Sequence, residues 1–348
     1  MQEELSAKIQ FHFYYANPEL NTGAARHIRS LHRAFKKLAP MVVFKFWNII
    51  DVNRDRVGVF KRLWHSIRLS LFCSLNKDLL IVTDLTPVFS LNRNLIIMVF
   101  DARETEGWLA RHSRWSYGLK YLALKHSKVV VCSDYTKRCL RKFGVSDVSV
   151  IPLGVNQLWE GRRDASCARE IDLLVVGQYS KRKNHVIVAE AINRLALQGV
   201  EPKVVFVGAN GPTFGPLCEL LSDAKNSLIL RDVSDEEIAS LYFKSKIVII
   251  PTFFEGFGMP AIEGYFANCQ LLLSDFPAAV EFEFPYTLLS NYSAGLNVEI
   301  IKDCLTNWTG HPEMYPLEQS KYFYPNIARQ WLSHLDYIYN ELICYGPK

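Results

Sequence analysis

The stretch IVIIPTFFEGFGMPAIE, residues 247–263, sets down an apolar strand, a glycine-rich turn and a helix start, in that order. Its opening apolar run up to Pro251 has the look of a strand buried on both faces. Gly256 and Gly258 let the backbone approach a ligand closely. Pro260 suits the first turn of a helix, where its missing N–H leaves no partner unmet. Glu255 falls in the turn and Glu263 about one turn into the helix. Two carboxylates around exposed amides at a helix N-terminus suit a ligand that carries both hydroxyls and a phosphate. By spacing alone, an ordinary turn with surface acids reads the same way.

Working outward, LLVVGQYSKRKNHVIVAEAI, residues 173–192, repeats the arrangement: a strand, Gly177, then Arg182-Lys183-Asn184 opening a helix. Cations beside a helix N-terminus form a site for a diphosphate. Across the whole chain short apolar strands alternate with amphipathic helices, the pattern that builds parallel sheets. Strands are expected at 9–15, 42–47, 79–83, 95–100, 129–132, 148–151, 171–176, 203–207, 227–230, 247–251 and 270–274. Helices are expected at 24–38, 57–74, 112–125, 134–143, 185–198, 215–221, 235–244, 260–267 and 325–342. The polar stretch 153–170 has no clear period and reads as a linker between two Rossmann-like α/β domains. Open parallel sheets bind ligands at the carboxyl ends of their strands. Two such domains facing each other make a cleft.

Hydrophobic residues make up 49% and charged residues 22% of the 348, which excludes wholesale disorder. The eight cysteines stand singly, with no C-x-x-C pair or zinc spacing, and are expected as free thiols of a reducing compartment. Acids in the first residues argue against a signal peptide. No apolar run approaches the ~18–20 residues of a membrane span. The net charge of +5 hides an asymmetry: residues 1–155 hold 24 Lys/Arg against 12 Asp/Glu, and the rest hold 16 against 23. The basic half is expected to meet something anionic. No nucleic-acid motif accompanies that charge, so nucleic acid is not an expected partner. No G-x-G-x-x-G follows a strand, which argues against a nicotinamide dehydrogenase.

Glu255-GFGMPAI-Glu263, with its strand, proline and helix, resembles the paired-glutamate motif of the retaining, B-type-fold glycosyltransferases of family 4. Gly177 with Arg182-Lys183-Asn184 resembles the family's next motif, and segments 129–145, 148–156, 206–212, 233–251 and 274–282 follow in its order. The resemblance is strong over 129–283 and covers roughly residue 14 to the C-terminus. It implies domains at 1–155 (joined by a C-terminal helix, 325–348, that crosses back) and 156–324. It implies that Glu255, Gly256, Phe257, Gly258 and Met259 meet the donor sugar, that Glu263 holds the ribose, and that Arg182 and Lys183 neutralise the diphosphate. Asp235 to Glu237 would lie near the base. Gly23, in Asn21-Thr22-Gly23-Ala24 after the first strand, resembles a glycine loop near the donor phosphate.

Many members of the family carry a His-Asp pair where this chain has Phe100-Asp101. Asp101 is then a catalytic candidate. Either Arg103 or His112 takes over the histidine's contact, or the alignment is offset, or activity is reduced.

The activity implied is metal-independent transfer of a hexose, with retention, from a nucleotide sugar to a glycan or lipid-linked acceptor in surface polysaccharide or lipopolysaccharide biosynthesis. No Asp-x-Asp motif appears, no cofactor is implied, and the Arg-Lys-Asn pattern leans toward GDP-mannose. A non-catalytic nucleotide-sugar-binding relative and a sugar-nucleotide epimerase of the same fold are the alternatives. The run 56–77 mixes cations with Phe60, Leu63, Trp64, Ile67 and Leu71 at helical spacing. It reads either as a core-facing helix or as a peripheral anchor on the anionic, cytoplasmic face of a membrane.

Overall fold

The computed structural model describes residues 9–13, 23–46, 59–75, 79–83, 88–90, 95–102, 114–155, 168–308 and 316–344. The chain divides into two compact units, Met1–Leu153 with Phe323–Lys348, and Gly154–Tyr322.

In the first unit β1 (Ile9–Phe13), β2 (Val43–Phe46), β3 (Leu79–Thr83), β4 (Leu95–Val99), β5 (Lys128–Val131) and β6 (Val148–Val150) form one sheet. Its order is β2-β1-β3-β4-β5-β6 and every pairing is parallel. A parallel sheet carries helices on both faces, so its strands are apolar throughout. β4 shows why. Ile96 and Met98 point into a core with Ile28, Leu31 and Phe35 of α1 (Gly23–Leu38). Ile97 and Val99, the alternate residues, point into a second core with Leu69 and Cys73 of α2 (Val59–Leu75) and Leu124 of α3 (Arg114–Lys125). Cys139 and Leu140 of α4 (Asp134–Lys142) complete that layer.

The C-terminal helix, Tyr324–Cys344, packs with α1 in the first core through Ile327, Trp331, Leu335 and Ile338. All four are buried, and each contributes about 1.5–3 kcal/mol relative to exposure. This helix is therefore part of the first unit's core although it follows the second unit in sequence.

The second unit holds β7 (Ile171–Val176), β8 (Val204–Gly208), β9 (Ser227–Arg231), β10 (Ser245–Ile250), β11 (Gln270–Ser274) and β12 (Thr287–Leu289). The order is β12-β11-β10-β7-β8-β9, again all parallel. The chain thus runs outward from β7 to β9 and then restarts on the other side of β7 with β10. That reversal leaves a crevice at the carboxyl ends of β7 and β10. Helices α5 (His185–Leu197), α6 (Phe214–Leu220), α7 (Asp235–Phe243), α8 (Met259–Phe266) and α9 (Ala294–Thr306) connect or flank the strands.

β12 and α9 go beyond the elements expected from the sequence. α9 is capped by Ser293, whose hydroxyl accepts from the Leu296 amide, and buries Val298, Ile301 and Cys304 beside α5. Cys73, Cys132, Cys139, Cys218, Cys269 and Cys304 are free thiols, all but Cys218 buried. Among the described residues, no helix is long and apolar enough to cross a membrane.

Candidate functional site

The loops leaving β7 and β10 meet at the crevice. After β7, Gly177 has φ +153, a conformation that side-chain-bearing residues rarely adopt. Lys181–Lys183 then form a 3-10 turn, Asn184 is left-handed at φ 52, and α5 starts at His185. After β10, buried Thr252 and Phe254 lead into Glu255 and the glycine turn. Gly258 caps α8 at φ 92, where a Cβ would stand 3.0 Å from the rings of Phe276 and Phe282. Both the torsion and the space demand glycine there.

Backbone hydrogen bonding stitches the two loops together. The Phe253 amide donates to the Arg182 carbonyl at 2.9 Å, and the Thr252 hydroxyl donates to the same carbonyl at 3.2 Å. The Arg182 guanidinium donates to the Phe254 carbonyl. Asn184 Nδ2 donates to the Asn291 carbonyl at 3.1 Å, tying the start of α5 to the loop after β12.

The stitching brings three charged side chains together. Lys183 Nζ is paired with Glu255 Oε1, and Arg182 Nη1 lies 3.2 Å from Glu255 Oε2. The side chains are 10% (Lys183), 13% (Glu255) and 20% (Arg182) exposed, so the cluster is largely withdrawn from water. Burial by itself would push the Glu255 carboxyl up. Lys183 and Arg182 outweigh it and hold the group below its ordinary value. Glu255 is therefore a carboxylate engaged with two cations.

Glu263 sits in α8, 2% exposed, and accepts a 2.9 Å hydrogen bond from the buried hydroxyl of Tyr242 on α7. Phe257 packs edge-on to Tyr322 at 6.0 Å. Asp235 to Glu237 form the first turn of α7, where the Glu237 carboxylate accepts from the Ser234 amide in a capping box.

The structure thus gathers Gly177, Arg182, Lys183, Asn184, Glu255, Gly256, Phe257, Gly258, Met259 and Glu263 at the carboxyl ends of the two central strands of the second sheet and the helices that follow them. Gly23 and Asp101 belong to the first unit. Gly23 opens α1, and Asp101 follows β4. Arg103 and His112 lie outside the described residues.

One histidine escaped the sequence reading. His27 of α1 puts its ring 5.8 Å from Phe100, edge to face, with Nδ1 3.0 Å from the Tyr324 hydroxyl. Burial pushes its pKa down to about 3, and Nε2 has no hydrogen-bond partner among the described residues. Its only signal in the sequence is its place one helical turn after Gly23.

Residues 163–303 match the family described as glycosyl transferases group 1. Over 195 residues, 55% of this chain, the sequence is 25% identical to the serotype-specific mannosyltransferase WbdA of Escherichia coli, covering 22% of that protein. Over 150 residues, 42% of this chain, it is 29% identical to the MMP alpha-(1->4)-mannosyltransferase of Mycolicibacterium hassiacum, covering 36% of it. The match therefore spans about a fifth to a third of these relatives' length.

Among solved structures, the sucrose-phosphate synthase of Thermosynechococcus elongatus superimposes with a TM-score of 0.66 at 11% identity, covering 97% of this chain and 100% of that one. The Anabaena protein Alr3699/HepE, in complex with UDP and glucose, superimposes with a TM-score of 0.57 at 14% identity, covering 96% and 98%. At such identities the likeness is one of fold. Residues 163–303 are thus similar to the glycosyl transferases group 1 family, parts of the chain are similar to mannosyltransferases at low identity, and the chain adopts the two-domain α/β fold with parallel sheets of the B-type glycosyltransferases.

Proposed function

We propose that this protein is a retaining, metal-independent hexosyltransferase that moves a sugar from a nucleotide donor to a glycan or lipid-linked acceptor. The observation that carries the reading is the Arg182–Lys183–Glu255 cluster at the crevice between β7 and β10, inside the segment that matches the glycosyltransferase family. Breaking the bond to the departing diphosphate builds negative charge on the phosphate and positive charge on the sugar. Donors placed in advance where that charge develops lower the barrier. Arg182 and Lys183 can supply this for the diphosphate without a metal ion. Glu255 then exchanges its cations for the hydroxyls of the donor sugar, and Glu263 takes the ribose hydroxyls. Attack occurs on the face from which the nucleotide leaves. The mannosyltransferase relatives favour mannose as the sugar and surface polysaccharide or lipopolysaccharide as the product, and the Arg182-Lys183-Asn184 pattern leans toward GDP-mannose as the donor.

The acceptor side has its own support. On α2, Trp64, Ile67, Leu71 and Leu75 are 59%, 45%, 58% and 83% exposed, while Ser66, Leu69 and Cys73 face the core. Exposed Leu119 and Leu122 of α3 lie on the same side of the first sheet. Arg68 and Lys125 are exposed on these two helices. An apolar stripe with cations, exposed among the described residues, is suited to an anionic membrane surface. Peripheral attachment at the cytoplasmic face would bring the enzyme to a lipid-linked acceptor.

A thermal-shift panel of UDP-, GDP- and dTDP-sugars, followed by assay of nucleotide release with and without a lipid-linked acceptor, tests the reading. Stabilisation by GDP-mannose and acceptor-dependent release of GDP are expected. Binding without release would instead favour a non-catalytic relative, and conversion of the sugar nucleotide itself an epimerase.

A further inference from the structure

His185 is the first residue of α5 and is 2% exposed, yet among the described residues neither ring nitrogen has a hydrogen-bond partner. The rings of Tyr179 at 5.3 Å and Phe206 at 6.4 Å hold the imidazole edge to face. Its Nε2 points at a definite place. A Cβ on Gly177 would lie 3.4 Å from that nitrogen, and 3.1 and 3.3 Å from the Cδ and Cε of Lys183. The absent side chain of Gly177 thus lets Lys183 and His185 pack together against the backbone at the carboxyl end of β7, where even a Cβ would be crowded.

An imidazole always carries at least one N–H, and a buried N–H with no acceptor is costly. The helix N-terminus at which His185 stands favours an anion, and Asn184, its cap residue, makes no side-chain cap bond. Burial, with Lys183 nearby, lowers the His185 pKa to about 3, so the ring is neutral near pH 7. Both cations of the cluster are already engaged by Glu255, whereas among the described residues no acceptor meets either nitrogen of His185.

We propose that His185 is a phosphate-binding residue, donating from Nε2–H to an oxygen of the bound nucleoside diphosphate. This rests on the proposed placement of the diphosphate at the β7–β10 crevice and adds an uncharged donor to it. The neutral donor holds the phosphate without competing for Glu255, so the two cations can be released from that carboxylate as the ligand settles. The rival role is that of an aromatic filler between Tyr179 and Phe206, which phenylalanine would fill equally well.

Titration calorimetry on the full chain separates the two roles, with GDP and UDP as probes beside guanosine and uridine. H185F keeps the ring but loses the donor and should weaken diphosphate binding about tenfold or more, leaving nucleoside binding unchanged. H185Q restores an N–H near the same position and should recover most of the loss. If H185F binds diphosphates as the wild type does, while replacing Arg182 and Lys183 by alanine abolishes binding, His185 is a filler and the site reading stands. If the wild type binds neither diphosphate, the site reading itself fails and takes this inference with it. Should H185F not fold, 15N-histidine spectra of the wild type decide. A His185 Nε2–H resonance that shifts on adding GDP or UDP is expected, and one that stays in place while the nucleotide binds overturns the proposal.

Discussion

Replacing Glu255 by glutamine should make the protein less stable and yet a tighter binder of free nucleoside diphosphate. The substitution keeps the shape and removes the charge that Arg182 and Lys183 both face. Breaking a buried ion pair from one side costs about 3–5 kcal/mol, because a cation is left buried and unpaired. The 10–20% residual exposure of the two cations and the amide oxygen of glutamine recover part of that, leaving about 2–4 kcal/mol. For a unit the size of Gly154–Tyr322 this lowers Tm by roughly 4–15 °C. The freed cations no longer have to leave a carboxylate before meeting phosphate. Each ~1.4 kcal/mol of competition removed is a factor of ten in affinity. Scanning calorimetry and titration with GDP or UDP read both effects, and the gain in Tm at saturating nucleotide should be larger in the variant. Acid adds a second check. The folded pKa of Glu255 lies below its ordinary 4.5, so its contribution is fully present above that value and lost as pH falls through the folded pKa. The acid limb of the stability curve should therefore be shallower in the variant. A variant as stable as the wild type, with unchanged diphosphate affinity, would falsify the account of Glu255 as an internal counter-ion.

Three further outcomes are expected. Arg182→Ala with Lys183→Ala should weaken nucleoside diphosphates far more than bare nucleosides in calorimetric titration; equal losses reject a diphosphate site. Glu263→Ala should cost about 1–3 kcal/mol of nucleotide affinity if a charged hydrogen bond to the ribose is lost. An unchanged Kd in a folded protein sinks that role and leaves Glu263 as the partner of Tyr242. The full chain should sediment with anionic but not neutral vesicles and release at high salt, where charges are screened beyond a few ångströms. Binding that ignores lipid charge, or that survives Trp64→Ser with Leu71→Ser, removes α2 from the membrane.

Much of the fold was legible because its signals are local. Residues 247–263 contain a buried strand, a turn that only glycine fits at Gly258, and a proline-opened helix, all within one window. β12 was not legible because three residues carry no measurable period. α9 did hold a readable pattern in Ser293 followed by Ala294, Val298 and Ile301, but it lies in a polar stretch that masks its start. On α2 the helical period groups Phe60, Leu63, Trp64, Ile67 and Leu71; Trp64, Ile67 and Leu71 are exposed together, and the side chains of Phe60 and Leu63 lie outside the described residues. Periodicity alone does not say which face meets the sheet. The choice falls to small residues such as Ser66 and Cys73, which allow the helix to approach closely.

The site itself was read as parts and not as a contact. Arg182 and Lys183 were assigned to a diphosphate and Glu255 to a sugar from two motifs some seventy residues apart in the chain. What joins them is the parallel register of β7 and β10, with Val248 opposite Leu174 and Ile249 opposite Val175. Strand order is a property of the whole sheet, set by which apolar runs cover which helices, and no window of sequence states it. Once β10 lies beside β7, the loops that follow them must share one crevice. The opposite charges on those loops then pair in the absence of ligand. The same step explains His27 beside Phe100. A helix after β1 and a strand end at β4 come together only when α1 has packed across the sheet. Chemistry-bearing residues could thus be named from the sequence, whereas their protein partners required the topology.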